Sequence, residues 1–309
     1  MGPIELRVAE HADRELVAAL IHASTNAWYQ ARGRPPIFAG PPADCARIFE
    51  VYEALDPRCC VLAEDPADGA LIGSCFWHPR PTHVGLGIMN VAPAAFGRGV
   101  ARRLLDFVIA RAEELGLPLR LVSSAQNLDS FSLYNRAGFV PIAVLQDVQV
   151  PVPAAGLVAP PKDTDRVRPA TAADVAAMVA LEREVLGIER GGDFAHIVAN
   201  PEGIWSARVL DGPDGPRGFL CASDDPASAM LGPGCARDAD AAIALLAAEL
   251  DARWRGRAPV VLAPSAQPAL LRWLAGQGGR NLELHLLQVR GAAAPIRGIV
   301  LPTFLPESG

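Results

Sequence analysis

A single lysine, Lys162, serves the whole chain of 309 residues. This excludes a phosphate-binding P-loop, which needs Lys beside Ser or Thr at a helix start. The six cysteines (Cys45, Cys59, Cys60, Cys75, Cys221, Cys235) form no C-x-x-C pair and have no His-rich partner segment. They therefore read as reduced, mostly buried thiols rather than a zinc or disulfide framework. The adjacent pair Cys59-Cys60 offers no redox site, because neighbours on a strand point to opposite faces. No apolar run is long enough to cross a bilayer. The N-terminus lacks a basic region followed by an apolar core. A cytoplasmic chain with no membrane partner is the expectation. The formal net charge of −6 argues against nucleic acid as a bulk partner and is compatible with a small cationic amine.

What is present is the composition of a soluble globular protein, half hydrophobic and 20% charged, long enough for two ordinary domains. The segment 151–164, PVPAAGLVAPPKDT, is rich in Pro and Ala and has no polar–apolar period, so it reads as a linker between residues 1–150 and 165–309. Both halves open alike. Glu5-Leu6-Arg7-Val8-Ala9 reads as a strand before His11-Ala12-Asp13 and a helix. Arg166-Val167-Arg168-Pro169-Ala170 reads as a strand before Thr171, a natural N-cap, and a helix carrying Val175, Met178, Val179 and Leu181. The shared Arg-x-Ala-x-x-x-Asp opening is what a tandem duplication leaves behind.

In the first half, strands are expected at 59–64, 70–78 and 84–91, the first two joined by an Asp/Pro/Gly turn. Helices from Val100 and Ser130 then alternate with strands at 119–125 and from Phe139. Hairpin strands followed by alternating units give an α/β (α+β) fold with a mixed, mostly antiparallel sheet, not a doubly wound one. The second half repeats the order: a hairpin over 204–209 and 218–222, a strand end at 230–233, a helix over 238–253, a strand at 259–263, a helix at 268–277 and a strand at 282–290.

The most informative stretch is Val91-Ala92-Pro93-Ala94-Ala95-Phe96-Gly97-Arg98-Gly99-Val100-Ala101. It reads as a strand end, a loop of small residues and a helix start, the helix stopping at Gly116. Backbone N–H groups at such a start are unpaired within the helix and carry its positive dipole end, which makes a cradle for phosphate. A dinucleotide fingerprint is excluded, because Arg102 stands where its third glycine belongs. The loop resembles the acyl-CoA loop of the GCN5-related N-acetyltransferases (GNAT), Gln/Arg-x-x-Gly-x-Gly/Ala after Val-x-Pro. Val91, Pro93, Gly99 and Ala101 match it, and Phe96 departs from it. A second block strengthens the likeness: Asn127, Ser130, Leu133-Tyr134 and Gly138-Phe139 stand in the order and at the distances of the family's ending.

The resemblance implies two tandem GNAT-like domains, a catalytic one over 1–150 and a degenerate one over 165–309. It implies acetyl-CoA, or another acyl-CoA, as co-substrate. The implied coenzyme contacts are Met89, Val91, Phe96, Gly97, Arg98, Gly99, Val100, Ala101, Asn127, Ser130 and Tyr134. Asn127 bonds the pantetheine arm, and Tyr134 directs its hydroxyl at the thioester sulfur and protonates the leaving thiolate. Backbone N–H near Val91 stabilises the oxyanion. The general base that many relatives carry as Glu on the preceding strand is missing: Gly85 stands there. His83 is the candidate base; His78, Glu64 and Asn90 are alternatives, and both histidines also read as turn residues. Trp28 and Tyr29, before Arg32 and Arg34, are candidate acceptor contacts by cation–π interaction, or plain core residues. The expected acceptor is an amine of a small molecule or peptide, and the expected assemblies include a homodimer. A non-catalytic acyl-CoA sensor is the alternative. In the second half the loop lacks a Gly-x-Gly/Ala cradle and puts Asp238 next to where a pyrophosphate would lie, and the last helix has no Leu-Tyr, Trp273 coming nearest. A wall or packing domain is expected there rather than a second coenzyme site.

Overall fold

A computed structural model describes residues 4–157 and 161–306. The chain divides into two compact units. One runs up to Pro79, resumes over His83–Leu119 and takes in Leu305 and Pro306; the other takes Arg80–Thr82 and Arg120–Phe304. The division does not fall at the expected linker. Residues 158–160 of that linker lie outside the described residues, but its start is pinned: Val152 is buried and exchanges backbone hydrogen bonds with Arg257 and Gly256 at 2.8 and 2.9 Å.

The first unit is built from β1 (Glu5–Val8), α1 (Arg14–Gln30), α2 (Ala46–Leu55), β2 (Cys60–Glu64), β3 (Leu71–Pro79), β4 (Val84–Val91) and α3 (Val100–Leu115). Its strands form an antiparallel meander in the order β1-β2-β3-β4. β3 is buried along nearly its whole length, with side chains alternating between two helical layers. Phe76 packs on Phe49 and Tyr52 of α2, while Trp77 packs on Phe107 of α3. The pairing of β3 with β4 slips by one residue between Cys75–Met89 and Trp77–Leu86, so β4 bulges at Gly87-Ile88.

The second unit contains β5 (Leu119–Ser124, from Arg120 on), α4 (Leu128–Arg136), β6 (Val140–Gln149), β7 (Val167–Pro169), α5 (Val175–Leu186), α6 (Gly191–Ala199), β8 (Trp205–Gly212), β9 (Gly215–Asp225), β10 (Ser228–Ala236), α7 (Ala239–Arg253), β11 (Val260–Pro264), α8 (Pro268–Gly276), β12 (Arg280–Arg290) and β13 (Ile299–Leu301). Its strand order is β5-β12-β6-β11-β10-β9-β8-β7, with β13 on β10. β12 lies between β5 and β6, and β6 lies between β12 and β11. β6 of the first half of the sequence is thus inserted among strands of the second half, and β12 of the second half among strands of the first. The α7–α8 side of this sheet holds an apolar core that includes Val148, Val150, Leu220, Leu246, Trp254 and Leu274.

Two details repeat between the units. Arg7 grips both carboxylate oxygens of Asp13 and also bonds Glu64; Arg168 grips both oxygens of Asp174 and also bonds Asp211. Arg7 pairs with Leu62 and Arg168 with Val209, so each second acid stands two residues beyond its register partner. The bulge recurs as well: β10 slips against β9 between Leu231 and Gly234, as β4 does against β3. The fold is the mixed, mostly antiparallel α/β arrangement expected from the sequence. Among the described residues no helix is long and apolar enough to cross a membrane.

Candidate functional site

The loop before α3 has the backbone its sequence requires. Gly97 and Gly99 both take left-handed conformations, with φ of 78° and 82°. An L side chain is strained there, so glycine is the fitting residue. Gly99 is the N-cap of α3, and no side chain caps this end. The first N–H groups of the helix are therefore left to a ligand or water. Val100, Leu104, Leu105 and Val108 anchor α3 in the core, while Gly97, Gly99 and Phe96 are exposed. Arg98 pairs with Asp65 of the β2–β3 turn at 2.7 Å. A hydrogen bond from the Ala67 N–H, together with that guanidinium, holds the Asp65 carboxyl below the usual carboxylate range. Met89 and Val91, half-buried on β4, lead into this loop.

The corresponding helix start in the second unit is closed. Asp238 is the N-cap of α7, accepts the Ala241 N–H at 2.8 Å and pairs with Arg217. A carboxylate occupies the position that an anionic ligand needs. This agrees with the sequence reading of a degenerate second half.

Asn127 is the N-cap of α4, its Oδ1 accepting the Ser130 N–H at 3.1 Å. The motif in the sequence points Asn127 at a ligand only; the structure gives its oxygen a capping role as well. Tyr134 is buried, 6% exposed, with its ring 5.7 Å from that of Phe139. Asn127, Ser130 and Tyr134 share the α4 region of the second unit, and Met89, Val91 and Phe96–Ala101 share the β4–α3 region of the first.

The aromatic pair on α1 already has cations of this chain on its rings. Arg32 lies 3.9 Å from the Trp28 ring centre and Arg34 lies 5.4 Å from that of Tyr29. The chain's own guanidinium groups thus occupy the ring faces expected to meet an acceptor cation. Asn26 clamps the following loop by two 3.0 Å bonds to the backbone of Phe38. Deeper in the first unit, Asn90 Nδ2 donates to Ser24 Oγ and Thr25 Oγ1 at 2.7 and 3.2 Å. Glu64 is engaged with Arg7. His83, just before β4, is buried, 2% exposed. His78 is not a turn residue: it ends β3 inside the core, 2.7 Å from Asp56. Spacing gives no hint of that pair, since its members are 22 residues apart on different elements.

Residues 25–139 match the acetyltransferase (GNAT) family model. No curated protein matches the chain. Among solved structures, a protein of Pyrococcus horikoshii described as an acetyltransferase is similar over 97% of this chain and 92% of its own, with TM-score 0.72 and 17% identity. A GCN5-related N-acetyltransferase from Sphaerobacter thermophilus is similar over 93% and 95%, with TM-score 0.60 and 16% identity. One from Anabaena variabilis covers 93% of this chain and 72% of its own, with TM-score 0.57 and 11% identity. At such identities the likeness speaks for the fold, which extends over both halves. The family match, the glycine loop and the fold agree: residues 25–139 of this chain form a domain of the acetyltransferase (GNAT) family.

Proposed function

We propose that the protein is an acetyl-CoA-dependent N-acyltransferase acting on an amine of a small molecule or peptide. The family performs acyl transfer; the observation that carries the reading to this chain is the left-handed Gly97 and Gly99 leading into the uncapped start of α3. Backbone N–H groups between Gly97 and Ala101 hold the coenzyme pyrophosphate, with the helix dipole favouring its charge, while those of Phe96 and Arg98 donate to the Pro93 and Ala95 carbonyls at 3.3 Å and brace the loop. Met89 and Val91 present strand backbone to the pantetheine and acyl groups. The resemblance assigns Asn127, Ser130 and Tyr134 to the same coenzyme, with Tyr134 as proton donor to the departing thiolate.

The reaction is a direct transfer. The amine nitrogen attacks the thioester carbonyl carbon, a C–N bond forms and the C–S bond breaks. The thiolate leaves with the electron pair and takes a proton. Calorimetric titration with acetyl-CoA tests the reading: the expected result is saturable binding at one site, and no heat at millimolar ligand overturns it. A screen for CoA thiol release over chemically diverse amines then separates an enzyme from an acyl-CoA sensor. The sensor reading is favoured by one observation, the absence of a carboxylate on β4.

A further inference from the structure

We propose that His78, oriented by Asp56, is the general base of the reaction and replaces the carboxylate that β4 lacks; this rests on the acyl-transfer reading above. His78 Nδ1 lies 2.7 Å from Asp56 Oδ2, with the two side chains 1% and 7% exposed. A carboxylate only accepts, so Nδ1 carries the hydrogen and Nε2 of the neutral ring is left with its lone pair. That Nε2 is buried and has no hydrogen-bond partner. It is aimed at β4: a Cβ on Gly87 would meet it at 2.6 Å. The imidazole therefore fills, from the neighbouring strand, the space that a side chain on β4 would take. Gly87 sits in the bulge and two residues before Met89, about 7 Å along the strand.

The surroundings point to a ligand that brings N–H groups. Ser74, Phe76 and His78 alternate onto one face of β3, and Asn90 is the register partner of Ser74 on that face. Asn90 Oδ1, an acceptor, and Ser74 Oγ, which can accept or donate, are also buried without a partner. Buried acceptors left unmatched along one face call for water or for a ligand that donates. An amine or its hydrated ammonium does so. Asp56 and, with ring centres 4.4 Å apart, Tyr52 face His78 from the α2 end, and Gly85 and Gly87 lie against it from β4. In the reaction Nε2 takes the proton from the attacking nitrogen through one water. The imidazolium is held by the Asp56 carboxylate, and the proton then passes to solvent.

The test compares the wild type with His78→Asn, which keeps a donor for Asp56 but deletes Nε2, with Asp56→Asn, and with Gly87→Ala, which displaces the ring without replacing a titratable group. Acetyl-CoA affinity is measured by calorimetry. Thiol release from acetyl-CoA is followed between about pH 5 and 9 with a polyamine, an aminoglycoside, free amino acids and short peptides. The expected result is acetyl-CoA affinity within about twofold of wild type, kcat/KM at neutral pH about 100-fold lower for His78→Asn and at least about tenfold lower for the other two, and loss of the acidic limb of the profile. The deficit shrinks at high pH, where more of the amine is already neutral. Wild-type rates and profile in His78→Asn, or a wild type that binds acetyl-CoA yet consumes no amine, overturn the inference. Failure of the wild type to bind acetyl-CoA overturns the functional reading first and this inference with it. Nitrogen-15 spectra of the wild-type histidines read the tautomer independently of any variant: a buried ring with Nδ1–H supports the proposal, and Nε2–H at His78 overturns it.

Discussion

At the scale of single residues, the Arg–Asp forks and the buried ions set the chain's response to pH and substitution. The fork from Arg168 holds the Asp174 carboxyl well below the usual carboxylate range, helped by N–H and O–H donors of Thr171. A carboxyl depressed in the folded state adds stability above its unfolded value, near 4, and that stability is lost as the pH falls toward the folded one. Asp174→Asn is thus expected to lower the melting temperature at neutral pH by the equivalent of about 1 kcal/mol, discounted for its partial exposure, and to matter less in melts below about pH 4. Glu182 and Arg190 are another matter, since both are buried and paired. Burial raises the Glu182 carboxyl, against the pull of Arg190. Burial also brings the nearby Arg120 down to about 10, with Arg190 contributing. Glu182→Ala strands the Arg190 charge and is expected to cost about 3–5 kcal/mol in denaturant unfolding, a loss that Glu182→Met with Arg190→Met recovers in large part. The glycine loop is legible in the sequence because its geometry is local: Gly97 and Gly99 act through their own backbone. His78 with Asp56, and Glu182 with Arg190, are not, because each pair is made by packing.

Elements were legible wherever a period and a stop signal coincide. β4 has the bounds read from the sequence, and α3 ends at a left-handed Gly116 as expected. α2 and α6 carry no such coincidence; they run for ten and nine residues and lie between proline- and glycine-rich segments that read as loop. β13, three residues under β10, carries no period at all. The glycine loop gives the prediction proper to this scale. A Cβ on Gly99 meets no atom within 4 Å, so Gly99→Ala acts through backbone strain alone. It is expected to lower stability by about 1 kcal/mol and to weaken acetyl-CoA binding more than tenfold, read by melting and by calorimetry. Equal acetyl-CoA affinity in the variant would place the pyrophosphate elsewhere.

For the whole molecule, the exchange of β6 and β12 is the feature that the sequence could not reveal, because alternation marks a strand without naming its neighbour. The expected linker implies two self-contained halves, whereas β12 lies between β5 and β6, and β6 lies between β12 and β11. Residues 1–150 expressed alone are therefore expected to be insoluble or oligomeric by size exclusion, and co-expression with 151–309 is expected to restore a soluble pair with the circular dichroism of the intact chain. The exchange also has a consequence in time. Some 130 residues separate the end of β6 from the start of β12. A ribosome needs on the order of ten seconds to make them. Throughout that interval the nascent chain exposes unpaired strand edges, so a slow-codon stretch between the two strands should lengthen its dependence on chaperones.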